Sequence, residues 1–218
     1  AGPEIGVAST KAFIGQMLVL YILAIKISHV RKEISEIDYE KKIIDLKKLP
    51  DLIKKTLNYS QDNIPTIAKD FLKAKGSMFL GRGLSFPIAL EGALKLKELS
   101  YLHAEGYPAG EMKHGPLALI EEGLPVVILA PKDRYFEKTI SNMQEVIARG
   151  GKVILITNET KKIISENIRC TLEMPESNEN LTPFLMTIPL QLLAYHVALL
   201  KNCDIDKPRN LAKSVTVE

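Results

Sequence analysis

Cysteine is scarce in this chain. Cys170 and Cys203 are the only two, far apart and without the spacing of a metal site or a redox pair. That excludes a disulfide-built scaffold and leaves two buried free thiols as the expectation. An excess of one charge sign is also missing: 29 lysines and arginines face 26 aspartates and glutamates, for a net charge of +3. So even a balance provides neither an electrostatic footprint for nucleic acid nor a polybasic membrane anchor. The expected partners are small molecules or proteins, with no nucleic acid and no membrane. Uninterrupted apolar runs of the roughly 20 residues needed to span a bilayer are lacking too. The run over 17–25 ends at Lys26 and His29, and the run over 181–200 is broken by Pro183 and Pro189 and by Gln191 and His196, whose polar side chains are costly in lipid. Both runs read as buried core helices. The opening Ala1-Gly2-Pro3-Glu4 has no basic leader of the signal-peptide kind, which points to a cytoplasmic protein.

What is present suits a folded α/β unit. With 46% apolar residues among 218, the chain is long enough for one substantial core, or for a complete domain with part of another. Ser9 and Thr10 are N-cap candidates for an apolar helix over 12–27. Residues 31–75 turn to Lys, Glu, Asp and Ile, broken at Pro50 and Pro65, and read as amphipathic helices bridging packed units. Beyond Gly76 the pattern alternates. Strand-like runs at 77–80, 125–130, 152–157 and 170–173 are separated by helical stretches at 87–105, 134–149 and 161–166, and a helix over 181–200 closes the series. Val126 to Leu129 is continuously apolar, as in a parallel strand covered on both faces. The fold class expected is α/β with a doubly wound parallel sheet.

Steps of four and three place Glu91, Lys95 and Glu98 on one helical stripe. The stripe has two readings: a solvated face crossed by ion pairs, or two carboxylates and a cation gathered for proton transfer. Gly81-Arg82-Gly83 follows a strand and opens a helix, so its backbone N–H groups face where an anion would bind. The third glycine of a dinucleotide fingerprint is missing, however, and no acidic ribose partner stands out. His114 lies in Lys113-His114-Gly115-Pro116, an irregular segment, either as a loop histidine bonded to a carbonyl or as an acid–base group. Lys213 reads by position alone as an exposed surface charge.

Longer words surround these residues. The run 81–98, His103-Ala104-Glu105-Gly106-Tyr107, Gly110-Glu111-Met112-Lys113-His114-Gly115-Pro116, the opening 1–13 and the closing run from Asp206-Lys207-Pro208-Arg209-Asn210-Leu211-Ala212-Lys213 to Glu218 closely resemble the glucosamine-6-phosphate synthase family. The resemblance implies a sugar isomerase (SIS) domain of flavodoxin-like topology. It divides the chain into the helical remainder of a first SIS domain at 1–28, a helical bridge at 29–60, a second SIS domain at 61–202 and an active-site tail at 203–218. The family's main phosphate-binding loops and its glutaminase domain match nothing in these residues.

The activity implied is conversion of fructose-6-phosphate and glutamine-derived ammonia to glucosamine-6-phosphate, without metal or organic cofactor. By resemblance Glu98 carries the proton between C1 and C2, Lys95 holds Glu98 ionised, and Glu91 balances Lys95. Lys213 forms the Schiff base with C2, and only its neutral amine attacks. His114 opens the sugar ring in the neighbouring subunit's site, which implies a homodimer. Val7 and Ala212 line the sugar pocket through their backbone. The alternative is a non-catalytic SIS-type regulator that binds sugar phosphate; the joint presence of Glu98, His114 and Lys213 argues against it. Lacking the phosphate cradle, these 218 residues are expected to show little or no isomerase activity alone.

Overall fold

The computed structural model describes every residue except 162, 164–166 and 215–218. Its centre is a parallel sheet of β1 (Ser77–Gly81), β2 (Ala104–Pro108), β3 (Pro125–Leu129), β4 (Lys152–Thr157) and β5 (Ile168–Glu173), in the order β2-β1-β3-β4-β5. That is the flavodoxin-like order. The helices are α1 (Lys11–Val30), α2 (Glu36–Lys47), α3 (Leu49–Gln61), α4 (Ile64–Ala68), α5 (Ser85–Ser100), α6 (Phe136–Ile147) and α7 (Thr182–Leu200).

The two-residue period of the strands sorts their side chains into two cores. Phe79, Val127, Leu129, Ile154 and Ile156 point to one face, where α3, α4, α5 and α7 cover them. Met78, Leu80, Val126, Ile128, Val153 and Leu155 point to the other, beneath Phe136, Met143 and Val146 of α6. Every residue of β1 and β3 is buried, which explains the unbroken apolar sequence of β3 and the Met78–Leu80 run of β1. Gly92 lets α5 lie close to α7: a Cβ there would come within 2.8 Å of Leu190 Cδ1. This contact matters for the site, because it sets the face of α5 that turns inward.

Several expectations change. The helix expected over 87–105 is α5, and it stops at Ser100 because Tyr101 adopts a left-handed conformation, φ 58°. Ala104 to Pro108 then forms β2, a strand hidden in the sequence by Gly106 and Pro108, residues of low strand preference. It is an edge strand, where a terminal proline is tolerated, and Gly106 faces the backbone of Leu90 at a Cβ-equivalent distance of 2.9 Å. The helical stretch expected over 161–166 lies mostly outside the described residues.

The largest departure is α1, expected to be buried. Only Ile25 is buried, while Val19, Leu20, Ile22, Leu23, Ile27 and Val30 are exposed. The helix also runs for 20 residues, beyond the apolar run that suggested a short segment. By length and composition α1 and the stretch Glu179–Leu200 are each able to cross a membrane; of their most apolar windows 6% and 61% respectively is buried inside the protein. α7 therefore is the core helix expected, and α1 is not. Cys170 and Cys203 are free thiols, each partly exposed rather than buried.

Candidate active site

α5 carries the stripe, and its packing decides between the two readings. Because Gly92, Ala93, Leu96 and Ala89 press this helix onto the sheet and α7, the Glu91–Lys95–Glu98 strip is drawn inward instead of facing bulk water. The Lys95 side chain is only 4% exposed, that of Glu91 10% and that of Glu98 21%. Lys95 Nζ lies 2.5 Å from Glu98 Oε2 and 3.6 Å from Glu91 Oε1. A solvated face is thereby excluded. The short contact makes Glu98 the principal partner of the cation, while Glu91 Oε1 is buried without a hydrogen bond.

Burial pushes the Glu91 carboxyl above its ordinary value of 4.5; Lys95 pulls it down and Glu98 pushes it up, and burial prevails. The folded protein thus holds a proton on Glu91 at pH values where the unfolded chain has released it, and stability falls as pH rises through that window. Glu91→Gln removes this term. Its urea midpoint, relative to that of the unsubstituted protein, is expected to improve as pH rises from the ordinary carboxylate range towards neutrality; a difference independent of pH would show that Glu91 ionises as freely folded as unfolded.

The tail returns to the same helix. Asp204 Oδ1 accepts from the N–H groups of Asp206 and Lys207, forming a turn. Ile205 packs onto the α5/α7 core and Pro208 is buried. Asp206 O accepts from Val7 N–H at 2.9 Å. Arg209 N–H donates to Tyr101 Oη at 2.8 Å, with the Arg209 guanidinium 4.2 Å over the Tyr101 ring. Tyr101 follows Glu98 by three residues, about 4.5 Å along the helix axis. Tail, opening segment and the C-terminal end of α5 thus form one assembly, with Lys213 Nζ 3.7 Å from Glu4 Oε2.

The structure brings Glu91, Lys95 and Glu98 together, and it ties Val7 to the tail that carries Ala212 and Lys213. Among the described residues no hydrogen bond or ion pair joins Lys213 to Glu98. His114 is not brought to this cluster. It ends a 3-10 turn, Ala109–His114, on the α6 side, with its ring 76% exposed and its Nε2 3.9 Å from Glu111 Oε2. Gly81-Arg82-Gly83 is filled by its own surroundings. Arg82 donates to Asn142 Oδ1 from Nε at 3.3 Å and Nη2 at 3.1 Å, and a Cβ on Gly83 would come within 2.6 Å of the Tyr135 ring. Sequence reasoning did not single out Glu4 or Tyr101. Their partners lie across the chain, Tyr101 108 residues from Arg209, and no local spacing marks such pairs.

Comparison with known proteins matches this architecture. The SIS domain family model matches residues 70–201, which span β1 to α7 and the buried stripe, and the chain belongs to that family. Within it, the likeness to glucosamine-6-phosphate synthase seen in the motifs is shown over the whole chain. It is 52% identical over 219 aligned positions to glutamine–fructose-6-phosphate aminotransferase (isomerizing) of Agrobacterium fabrum. It is 54% identical over 220 to the protein of that name from Bradyrhizobium diazoefficiens. All of this chain is covered, but only 36% of each relative's length. The solved C-terminal domain of glucosamine-fructose-6-phosphate aminotransferase from Francisella tularensis superposes with a TM-score of 0.91 at 44% identity, over 95% of this chain and 58% of that one.

Proposed function

We propose that these residues form the C-terminal isomerase part of a cytoplasmic glutamine–fructose-6-phosphate aminotransferase, making glucosamine-6-phosphate from fructose-6-phosphate and ammonia. The observation that carries the reading is Lys95, a cation withdrawn from water between two carboxylates on one helix. Burying three ionisable groups is costly for a fold and is common where they do chemistry. In this reading Glu98 moves the proton between C1 and C2, Lys95 keeps it ionised and ready, and Glu91 completes the set. Lys213 supplies the amine for C2, and Val7 and Ala212 border the sugar. The tail anchored one turn beyond Glu98 supports a shared pocket.

His114, exposed and remote from the cluster, acts in this scheme on the site of a second subunit in a homodimer. Residues 1–28 end a first SIS domain whose preceding part covers the apolar face of α1. In this reading the roughly two-thirds of the relatives' length that this chain does not cover holds the phosphate cradle and the glutaminase domain. Its absence from the 218 residues leaves them with little turnover of their own.

The test is covalent. In a polypeptide of the relatives' full length bearing these residues, borohydride is expected to fix fructose-6-phosphate to Lys213, read by peptide mass. Lys213→Arg is expected to abolish the adduct while leaving the far-ultraviolet circular dichroism and urea midpoint unchanged. Continued trapping in that variant removes Lys213 from the reaction.

A further inference from the structure

We propose that Glu4 is the counter-ion of Lys213, holding the amine in place before reaction and balancing the positive charge of the imine that follows. The inference rests on the reading that Lys213 forms that imine. Glu4 belongs to the opening segment, and its side chain is only 10% exposed while that of Lys213 is 45% exposed. A carboxylate so enclosed needs partners. Thr10 N–H and Thr10 Oγ both donate to its Oε1 at 2.9 Å, the Ala12 backbone N–H adds a further bond, and Lys213 Nζ stands 3.7 Å from its Oε2.

The division of labour between the two oxygens carries the argument. Oε1 is bound at the start of α1, where the first free N–H groups of a helix stabilise negative charge. These bonds lower the Glu4 carboxyl below its ordinary value against the opposing effect of burial. Oε2 is left facing the tail. The carboxylate is therefore fixed in position and charge by a helix terminus, while the lysine it faces sits on a turn-rich segment. Asp206 O accepting from Val7 N–H brings the segment to that place, and Gly6 fits against Asp206, whose Oδ1 lies 3.2 Å from a Cβ built there.

In the reaction the neutral Lys213 amine adds to the C2 carbonyl, a proton moves from nitrogen to oxygen, and a second proton, supplied by water or a buffer acid, lets that oxygen leave the carbinolamine as water. What remains is a cationic iminium, C2 doubly bonded to Nζ. It is the form that a nucleophile such as ammonia attacks, and it carries a full positive charge where the neutral ketose had none. A fixed carboxylate beside Nζ stabilises this charge more than the starting ketose. Glu4 is a positioning residue here, since it acts on the sugar through Lys213.

Glu4→Gln keeps the shape and the acceptor for Thr10 and removes the charge. Two readouts separate that charge from mere structure, both in a full-length polypeptide. Borohydride trapping of fructose-6-phosphate at Lys213 is expected to fall about tenfold in Glu4→Gln. Acylation of Lys213 by an amine-selective ester at neutral pH, without sugar, is expected to rise about threefold, because the carboxylate that engages the amine is gone. Glu4→Asp disturbs the contacts with Thr10 but keeps the charge, and is expected to trap several-fold more sugar than Glu4→Gln. Equal losses in both variants, or trapping and acylation both unchanged in Glu4→Gln, overturn the counter-ion role. Absence of trapping in the unsubstituted protein overturns the imine reading itself, and Glu4's part with it.

Discussion

Glu98→Gln is expected to slow isomerisation by about 10²–10⁴-fold, the usual contribution of a positioned general base, while borohydride still fixes the sugar to Lys213. The two halves of this result belong together. The amide keeps nearly the volume of the carboxylate and remains able to accept from Lys95, so the packing of the helix is kept although Lys95 loses its nearer counter-charge. What it loses is the capacity to take a proton from one carbon and return it to the next. In the proposed scheme Lys213 acts earlier and from another segment, so the covalent adduct is expected to survive. Exchange of the C1 and C2 hydrogens with solvent, followed by nuclear magnetic resonance, measures the proton step directly. A rate within tenfold of the unsubstituted enzyme removes Glu98 from the role of base. Loss of trapping together with exchange assigns it to sugar binding instead.

Lys95→Met is expected to cost about 3 kcal/mol of stability at neutral pH, because breaking a buried ionic set strands its other members. The chain has few ways to absorb the loss. Lys95 lies 2.5 Å from Glu98 and 3.6 Å from Glu91, in a side-chain environment 4% exposed, and methionine fills the stem of the lysine but not its charge. With the cation gone, the carboxylates repel each other and are driven towards their protonated forms. The sign for pH follows. Both then hold protons in the folded state that the unfolded chain releases, so the deficit grows as pH rises and shrinks as pH falls towards the ordinary carboxylate range. Urea midpoints of Lys95→Met at mildly acidic and neutral pH measure this. Combining Glu91→Gln with Lys95→Met is expected to return part of the loss, since one of the stranded charges is removed. A Lys95→Met protein as stable as its parent at neutral pH would show that the triad is solvated in solution.

The parts of the fold that were legible in the sequence are those set by short-range pattern. β1, β3 and β4 announce themselves as compact apolar runs, and α6 and α7 as longer stretches between turn residues. β2 did not, because an edge strand needs hydrogen bonds on one side only and therefore admits Gly106 and Pro108. The burial of α1 was misjudged for a different reason: apolar composition states that a surface needs a cover, and not which segment provides it. The motifs led to Glu91, Lys95, Glu98, Lys213 and His114 as candidates, but not to how these residues meet. Glu4 and Tyr101 do not stand out in the sequence, since a carboxylate in an opening segment and an aromatic at a helix end are ordinary until the tail is laid against them.

By itself the sequence determined the family, the strand-forming runs and the spacing that aligns Glu91, Lys95 and Glu98, because these follow from local stereochemistry and from the residues' own order. Only the tertiary structure decided that the aligned charges are enclosed, that the tail docks on Tyr101 and that Lys213 faces Glu4. Enclosure depends on how closely α5 approaches α7 across Gly92, and that distance is a property of two helices together, unavailable to either one alone.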